Sequence, residues 1–309
     1  MRRKKQPGAI EAHFAGHETF SLRQMWLKKA IEQAINGVVP RAAFADESAI
    51  AEFGVGKNMV ASIRHWALAC DVIDSEDESG GYPVTAMGRQ LFADDGLDPY
   101  SEHPSTAWYC HWCLAGRGRR ATTWRWLFNH VTASSFTRED LEAPLADYAK
   151  SIDANRRLSP ATFSRDIETC LRGYAPRASG ASPEEYAEPM LAELGLIYEE
   201  RKGHFSFRRG PKATLRDGLF VFALLDFWDR NPATKDLSSL AFESIAYGEG
   251  SPGRVFKLDE ESVAERLFGL EELSHGALTW TDTAGLRQVI RNRSKGSNLS
   301  TRMMKQAYA

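Results

Sequence analysis

Residues Asp46–Phe92 constrain the fold more than any other stretch of the chain. A short helical segment, about Glu47–Phe53, follows Asp46, a natural N-cap residue. Gly54 comes next, the residue that ends a helix in a left-handed turn without steric cost. Lys57–Cys70 then shows helical periodicity. Met59, Val60, Ile63, Trp66, Ala67 and Cys70 share one face, and Lys57, Asn58, Ala61, Arg64 and His65 share the other. Asp71–Asp74 and Tyr82–Thr85 read as strands on either side of an acidic tip, Ser75–Gly81, and Thr85–Phe92 reads as a closing helix. That order is the sequence form of a winged helix-turn-helix, a module that docks on DNA.

The apolar face of the second helix packs on a core. The polar face, with Asn58 near the helix start, can reach phosphates and base edges. Asp74, Glu76, Asp77 and Glu78 at the tip repel a phosphate backbone. Contact is therefore expected on the Lys57–His65 face rather than on the wing, with protein docking as the alternative.

Composition neither supports nor forbids this reading. A net charge of −2 over 309 residues excludes a uniformly basic nucleic-acid binder. Positive charge is concentrated at the ends, in Arg2, Arg3, Lys4 and Lys5, and from Arg287 through Arg291, Arg293, Lys295, Arg302 and Lys305. These are either arms on a polyanion or plain solvated tails. Cys70, Cys110, Cys113 and Cys170 are too few for a disulfide framework in a chain this long. The longest apolar run, Leu219–Leu225, is too short to span a bilayer, and no signal peptide opens the chain. A cytoplasmic protein without membrane contact is expected.

The expected fold class is mainly α (α+β). A winged-helix domain covers 12–95, a helical domain 96–182, and a C-terminal domain with winged-helix-like elements and a basic tail 183–309. In the first, Ser21-Leu22-Arg23-Gln24 reads as a capping box opening a helix to about Asn36. In the second, Thr106–Leu114, Thr122–Val131, Phe136–Ala149 and Ser159–Leu171 read as helices, and Arg177–Ser182 as a linker. In the third come a helix at Pro183–Leu194, a hairpin across Gly203, and an all-round apolar helix at Leu215–Trp228. Thr283–Ile290 resembles Thr85–Phe92, which suggests a second winged unit.

A distinctive set of motifs runs through the chain. It comprises His13-Phe14-Ala15-Gly16-His17-Glu18-Thr19-Phe20 with Arg23 and Trp26-Leu27, then Gly54–Val60, Asp98-Pro99-Tyr100 with Glu102, Thr106 through His111-Trp112, Arg165-Asp166, and Ser251–Phe256. The set resembles a bacterial family of unknown function that includes SspB, the nicking component of systems that place phosphorothioate in DNA. The resemblance implies an antiphage DNA-modification role. It also implies a cysteine desulfurase, an ATPase and a sulfur-transfer enzyme as partners. A DNA-binding adaptor without catalysis and a protein-binding regulator are the alternatives.

Phosphodiester hydrolysis needs a metal on carboxylates, or a positioned nucleophile and base. His17 and Glu18, with His13 close by, form one candidate cluster, and Asp98, Glu102 and His111 form a second. His17, Glu18 and Asp98 are the candidate ligands for Mg²⁺ or Mn²⁺. Backbone capping by Glu18, His17 and Asp98 and a core role for His111 are the alternatives. Glu200-Arg201-Lys202 with Glu184 echoes a nuclease pattern only loosely. Cys110-His111-Trp112-Cys113 has no second cysteine pair, so zinc is not expected. Gly54-Val55-Gly56-Lys57 lacks the glycine spacing and the following Ser or Thr of a phosphate loop. Arg119, Arg120 and Arg125, with Arg117, interleave with Trp124 and Trp126, a pattern suited to phosphate contact and base stacking, or equally to a solvated loop leading into a helix whose tryptophans are core.

Overall fold

The computed structural model describes residues 12–78, 80–154, 157–176, 189–283 and 285–309. The Arg2–Lys5 arm, the linker at Arg177–Ser182 and residues 183–188 of the expected helix, Glu184 included, lie outside them.

Helix and strand are mixed, with helix predominating. The chain begins with α1 (Trp26–Glu32), β1 (Val38–Pro40), α2 (Ser48–Phe53), α3 (Lys57–Ala69), β2 (Gly81–Pro83) and α4 (Ala86–Phe92). Next come α5 (Pro104–His111), which continues into a wider π-helical turn at Trp112–Arg117, then α6 (Thr122–His130), β3 (Ser135–Thr137), α7 (Arg138–Ile152) and α8 (Pro160–Tyr174). A 3-10 turn at Met190–Leu194 leads to β4 (Ile197–Arg201) and β5 (His204–Phe207). The last part holds α9 (Asp217–Arg230), β6 (Ser239–Ala241), α10 (Phe242–Tyr247), α11 (Pro252–Val255), α12 (Glu260–Phe268), α13 (Leu270–Ser274), β7 (Leu278–Thr283), β8 (Leu286–Arg291) and α14 (Leu299–Gln306).

One connectivity recurs along the chain. A short strand leads into helices, a hairpin follows, and the hairpin's second strand returns to pair with the short strand. The sheets β3-β5-β4 and β6-β8-β7 both have this order and are antiparallel. The first third takes the same path: β1 pairs with β2, and an Ile73↔Val84 bridge fills the remaining position. Local chemistry supports these elements. Gly54 ends α2 with φ 63°, and Thr137 and Asp140 form a reciprocal capping box at the start of α7. Thr85 accepts from the Gly88 N–H and starts α4.

Three sequence expectations give way to tertiary contacts. Ser21 does not cap a helix, because its hydroxyl donates to the Thr169 carbonyl on α8, and α1 begins only at Trp26. Asp46 is not the side-chain cap of α2; its carbonyl accepts from Ala49. The stretch from Arg287 is not a solvated tail. It forms β8 and α14, and Met303, Met304 and Ala307 are buried against α9. Ala86–Phe92 is helix whereas Leu286–Arg291 is strand, so the likeness between those segments does not mark equivalent elements.

The expected boundaries at 95/96 and 182/183 are crossed by shared structure. β3 pairs with β5, and Tyr308 at the end of the chain bonds the Thr106 hydroxyl on α5. Trp66, Trp108, Trp112, Trp124 and Trp228 belong to one continuous buried cluster. Each removes on the order of 200 Å² from water, worth about 5 kcal/mol as an upper bound. Among the described residues no helix is long and apolar enough to cross a membrane.

Candidate nucleic-acid interface

The candidates for chemistry are placed first by their hydrogen bonds. His17 is buried, and the Thr19 N–H donates to its Nδ1 at 3.1 Å. Nε2 therefore carries the proton and donates to Asp166 Oδ1 at 2.8 Å. The same Asp166 oxygen accepts from the Ala15 N–H at 2.7 Å, and its other oxygen accepts from Thr123 Oγ1 at 2.6 Å. This network holds a loop in which Ala15, Glu18 and Thr19 all have positive φ, a conformation that non-glycine residues keep only when their surroundings impose it. Both nitrogens of His17 are thus used in folding, and Glu18 points to solvent.

Asp98 is also a structural residue. Its carboxylate accepts from the Glu102 and His103 N–H groups and from Thr106 Oγ1, which closes the turn into α5. His111 is fully buried, 4.5 Å centroid to centroid from the Phe128 ring. Its Nε2 donates to the Val255 carbonyl at 3.0 Å, so Nδ1 accepts from the Tyr174 hydroxyl at 2.7 Å. Burial, only partly opposed by the Val255 bond, lowers its pKa to about 3. Neither the pair His17 and Glu18 nor the trio Asp98, Glu102 and His111 converges on a site. Among the described residues there is no group of three or more His, Cys, Asp or Glu placed to hold a metal ion. Cys70, Cys113 and Cys170 are buried thiols whose pKa burial raises, Cys113 to about 12.

The basic candidates, by contrast, do converge. A cleft of about 680 Å³ opens between the turn after α5 and the end of α9. Arg117, Arg119, Arg120, Arg125 and Arg230 line it, with Glu249 as its acidic lining residue. Their roles differ. Arg117 is half-buried and bridges Asp71 and Asp226 with bonds of 2.7 to 3.1 Å. Burial alone raises the Asp226 carboxyl, but Arg117 and Arg230 outweigh it and hold the group below the usual carboxylate range. Arg125 donates to the Gly116 carbonyl and to Glu249. Among the described residues Arg120 donates to the Ser75 hydroxyl, at 3.3 Å, and Arg119 is an exposed cation shared between Asp71 and Asp74.

α3 adjoins this cleft. Arg64 and Arg120 lie close enough to His65 to help lower its pKa, though burial is the main cause. His65 itself packs edge-on against Trp66, under Gly16, and its Nε2 has no partner among the described residues. It belongs to the wall more than to the surface. Lys57 and Asn58 stand exposed at the start of the same helix. The acidic tip is partly neutralised from within, Asp74 by Arg119 and Glu76 by Arg41.

Sequence reading missed Asp226 and Arg230, one helical turn apart on α9, and Glu249. A charged residue at Asp226 inside that helix was the available signal. It missed Asp166 as the partner of His17, since the two lie 149 residues apart.

No curated protein matches the chain. Two solved structures do. A magnesium-bound crystal structure of SspB is 26% identical with a TM-score of 0.84, covering 96% of this chain and 90% of that one. Another SspB crystal structure is 27% identical with a TM-score of 0.85, covering 97% and 89%. The family described as "Protein of unknown function (DUF4007)" matches residues 14–308. The chain therefore belongs to that family and is similar in fold to SspB.

Proposed function

We propose that this protein binds DNA through the arginine cleft and the outer face of α3, and nicks it within a phosphorothioate-modification system that defends against phage. The observation that carries the reading is the gathering of Arg117, Arg119, Arg120, Arg125 and Arg230 around one cleft, with Lys57 and Asn58 exposed at the start of α3. Phosphates attract guanidinium groups and are held bidentately by them. The recurrent strand–helix–hairpin path supports reading the first and last units as winged helices, with α3 as the recognition helix of the first. A third such unit is built on β3, β4 and β5. In the last unit the corresponding helices carry Glu260, Glu261, Glu265, Glu271 and Glu272, so their role is not phosphate contact.

The likeness to SspB supports the modification-system role, and with it a cysteine desulfurase, an ATPase and a sulfur-transfer enzyme as partners. Magnesium is bound in one of the SspB structures. The placement of His17, Asp98 and His111 in structural hydrogen bonds favours one second reading, a DNA-binding adaptor that positions sulfur-transfer enzymes.

A supercoiled-plasmid assay in EDTA, Mg²⁺ and Mn²⁺, run beside fluorescence-anisotropy binding, separates the readings. Open-circular product supports the nickase. Binding without product under every condition supports the adaptor. Absence of both overturns the DNA reading.

A further inference from the structure

Among the described residues lining the arginine cleft, Glu249 is the one carboxylate, and it meets Arg125. Its Oε1 accepts from Arg125 Nη2 at 2.8 Å. The two side chains differ in exposure, 12% for Arg125 and 43% for Glu249. The guanidinium is therefore set in the wall, while the carboxylate keeps water on its outer side.

Arg125 belongs to the row of cleft cations. Its stem passes beneath Gly118, where a Cβ would fall 2.3 Å from Arg125 Cδ, and Arg119 and Arg120 follow Gly118 in the chain. Arg125 Nη1 donates to the Gly116 carbonyl at 2.6 Å, and its buried Nε has no partner among the described residues. Nη2 is the donor that meets the cleft-lining carboxylate.

Glu249 is held against Arg125 by its backbone. The Gly250 N–H donates to Asn129 Oδ1 at 2.6 Å, and the buried Asn129 donates from Nδ2 to the Ala115 carbonyl at 2.9 Å. Gly250 has φ +76°, and a Cβ there would stand 3.2 Å from Arg125 Nη1 and 3.3 Å from the Gly116 carbonyl. Only glycine lets this turn pack so closely on the guanidinium it neutralises.

We propose that Glu249 is a built-in competitor for a phosphate seat on Arg125, and that it makes the cleft select a continuous polyanion over an isolated phosphate; this rests on the DNA-binding reading above. A carboxylate and a phosphate use the same guanidinium donors. Tethered to a pinned turn, Glu249 meets Arg125 at an effective concentration of about millimolar or higher, so a free phosphate below that level does not displace it. A strand already held on Arg119 and Arg120 brings its next phosphate as a tethered group too, and the exchange becomes even. Glu249 then turns outward into water, which its exposure permits at small cost. A phosphate that arrives alone meets the carboxylate's charge and is repelled. Arg125 is a binding residue here, and Glu249 sets its specificity.

The test uses the full chain, a labelled duplex for anisotropy, and inorganic phosphate alone for thermal shift. Glu249→Gln should bind the duplex about threefold to tenfold more tightly than wild type. Arg125→Gln should cost more affinity in the Glu249→Gln background than in wild type, because only there is the seat open. Asp74→Asn, which neutralises the acid paired with Arg119, should act additively with Arg125→Gln. Inorganic phosphate at about 1–10 mM should raise the Tm of Glu249→Gln and leave wild type unmoved. Duplex binding by Glu249→Gln no tighter than wild type overturns the competitor role while the DNA-binding reading stands. An affinity gain fully additive with Arg125→Gln overturns it as well, since that gain reports net charge alone. Duplex bound by neither wild type nor any variant overturns both readings.

Discussion

His17 donates from Nε2 to Asp166 Oδ1 at 2.8 Å, and through that bond the loop before α1 is fixed to α8. Asp166 is the more informative partner, because it serves three donors from two parts of the chain, Ala15 and His17 in the loop and Thr123 on α6. Asp166→Ala should strand the His17 ring and the Thr123 hydroxyl in a buried site and leave the part-buried Ala15 N–H without its acceptor. An unsatisfied buried group costs about 1–3 kcal/mol, and the groups are coupled, so a loss of about 3–4 kcal/mol is expected. Urea denaturation measures it. A midpoint within error of wild type would mean the network is not holding the loop.

Arg119→Glu with Arg120→Glu should weaken duplex binding by at least about tenfold and flatten the salt dependence by about two units of slope. Thermal stability should barely change, since Arg119 is mostly exposed and Arg120 holds one long bond among the described residues. Lys57→Glu with Arg64→Glu should weaken binding as well. Binding that survives both double reversals would remove α3 and the cleft from the interface together.

His111 makes stability depend on pH in one direction. Its folded pKa lies near 3 against the ordinary 6.5, so between these values the unfolded chain holds a proton that the folded chain refuses. Stability is full above pH 6.5 and falls as the pH drops toward 3, by up to about 1.4 kcal/mol per unit. His65 shifts in the same direction and adds to the slope. Denaturant midpoints from pH 7.5 to 4.5 should fall, and they should fall less steeply in His111→Gln.

Gly88 on α4 faces the Val72 backbone so closely that a Cβ would overlap the Val72 carbonyl. Gly88→Ala should cost about 2–4 kcal/mol by forcing α4 away from α3's end. The Thr85 cap, which bonds the Gly88 N–H, should loosen with it. Amide exchange at Gly88 reads the loosening, and denaturation reads the cost. A wild-type exchange rate would show that the contact gives way without strain.

All four cysteines are free and buried. The native protein should therefore react slowly with a thiol reagent such as Ellman's and release four equivalents only in denaturant. Rapid labelling of any thiol in the native state would contradict the burial of Cys70, Cys110, Cys113 and Cys170.

Much of the fold was readable where local rules suffice. Gly54, the period of Lys57–Cys70, the hairpin about Gly203 and the apolar run of α9 are each fixed by neighbours within a turn or two. The same locality explains the misreadings. Ser21 looks like a cap until Thr169 offers its carbonyl, and the basic stretch after Arg287 looks like a tail until α9 offers an apolar face. Of the candidate site, the arginines near Trp124 were legible because they lie close together in sequence. The acids that hold them, Asp71, Asp226 and Glu249, were not.

The sequence by itself determined the helical period, the turns, the DUF4007 membership and the clustering of Arg117, Arg119, Arg120 and Arg125. Only the tertiary structure decided what each charged side chain is for. His17, Asp98 and His111 carry residue types that suit catalysis, yet burial and paired donors make them structural. Arg230 carries no motif, yet folding brings it to the cleft beside Arg117 and Arg119. The reason is physical: residue type sets what a side chain can do, while the hydrogen bonds and solvent exposure that decide what it does come from parts of the chain far away in sequence.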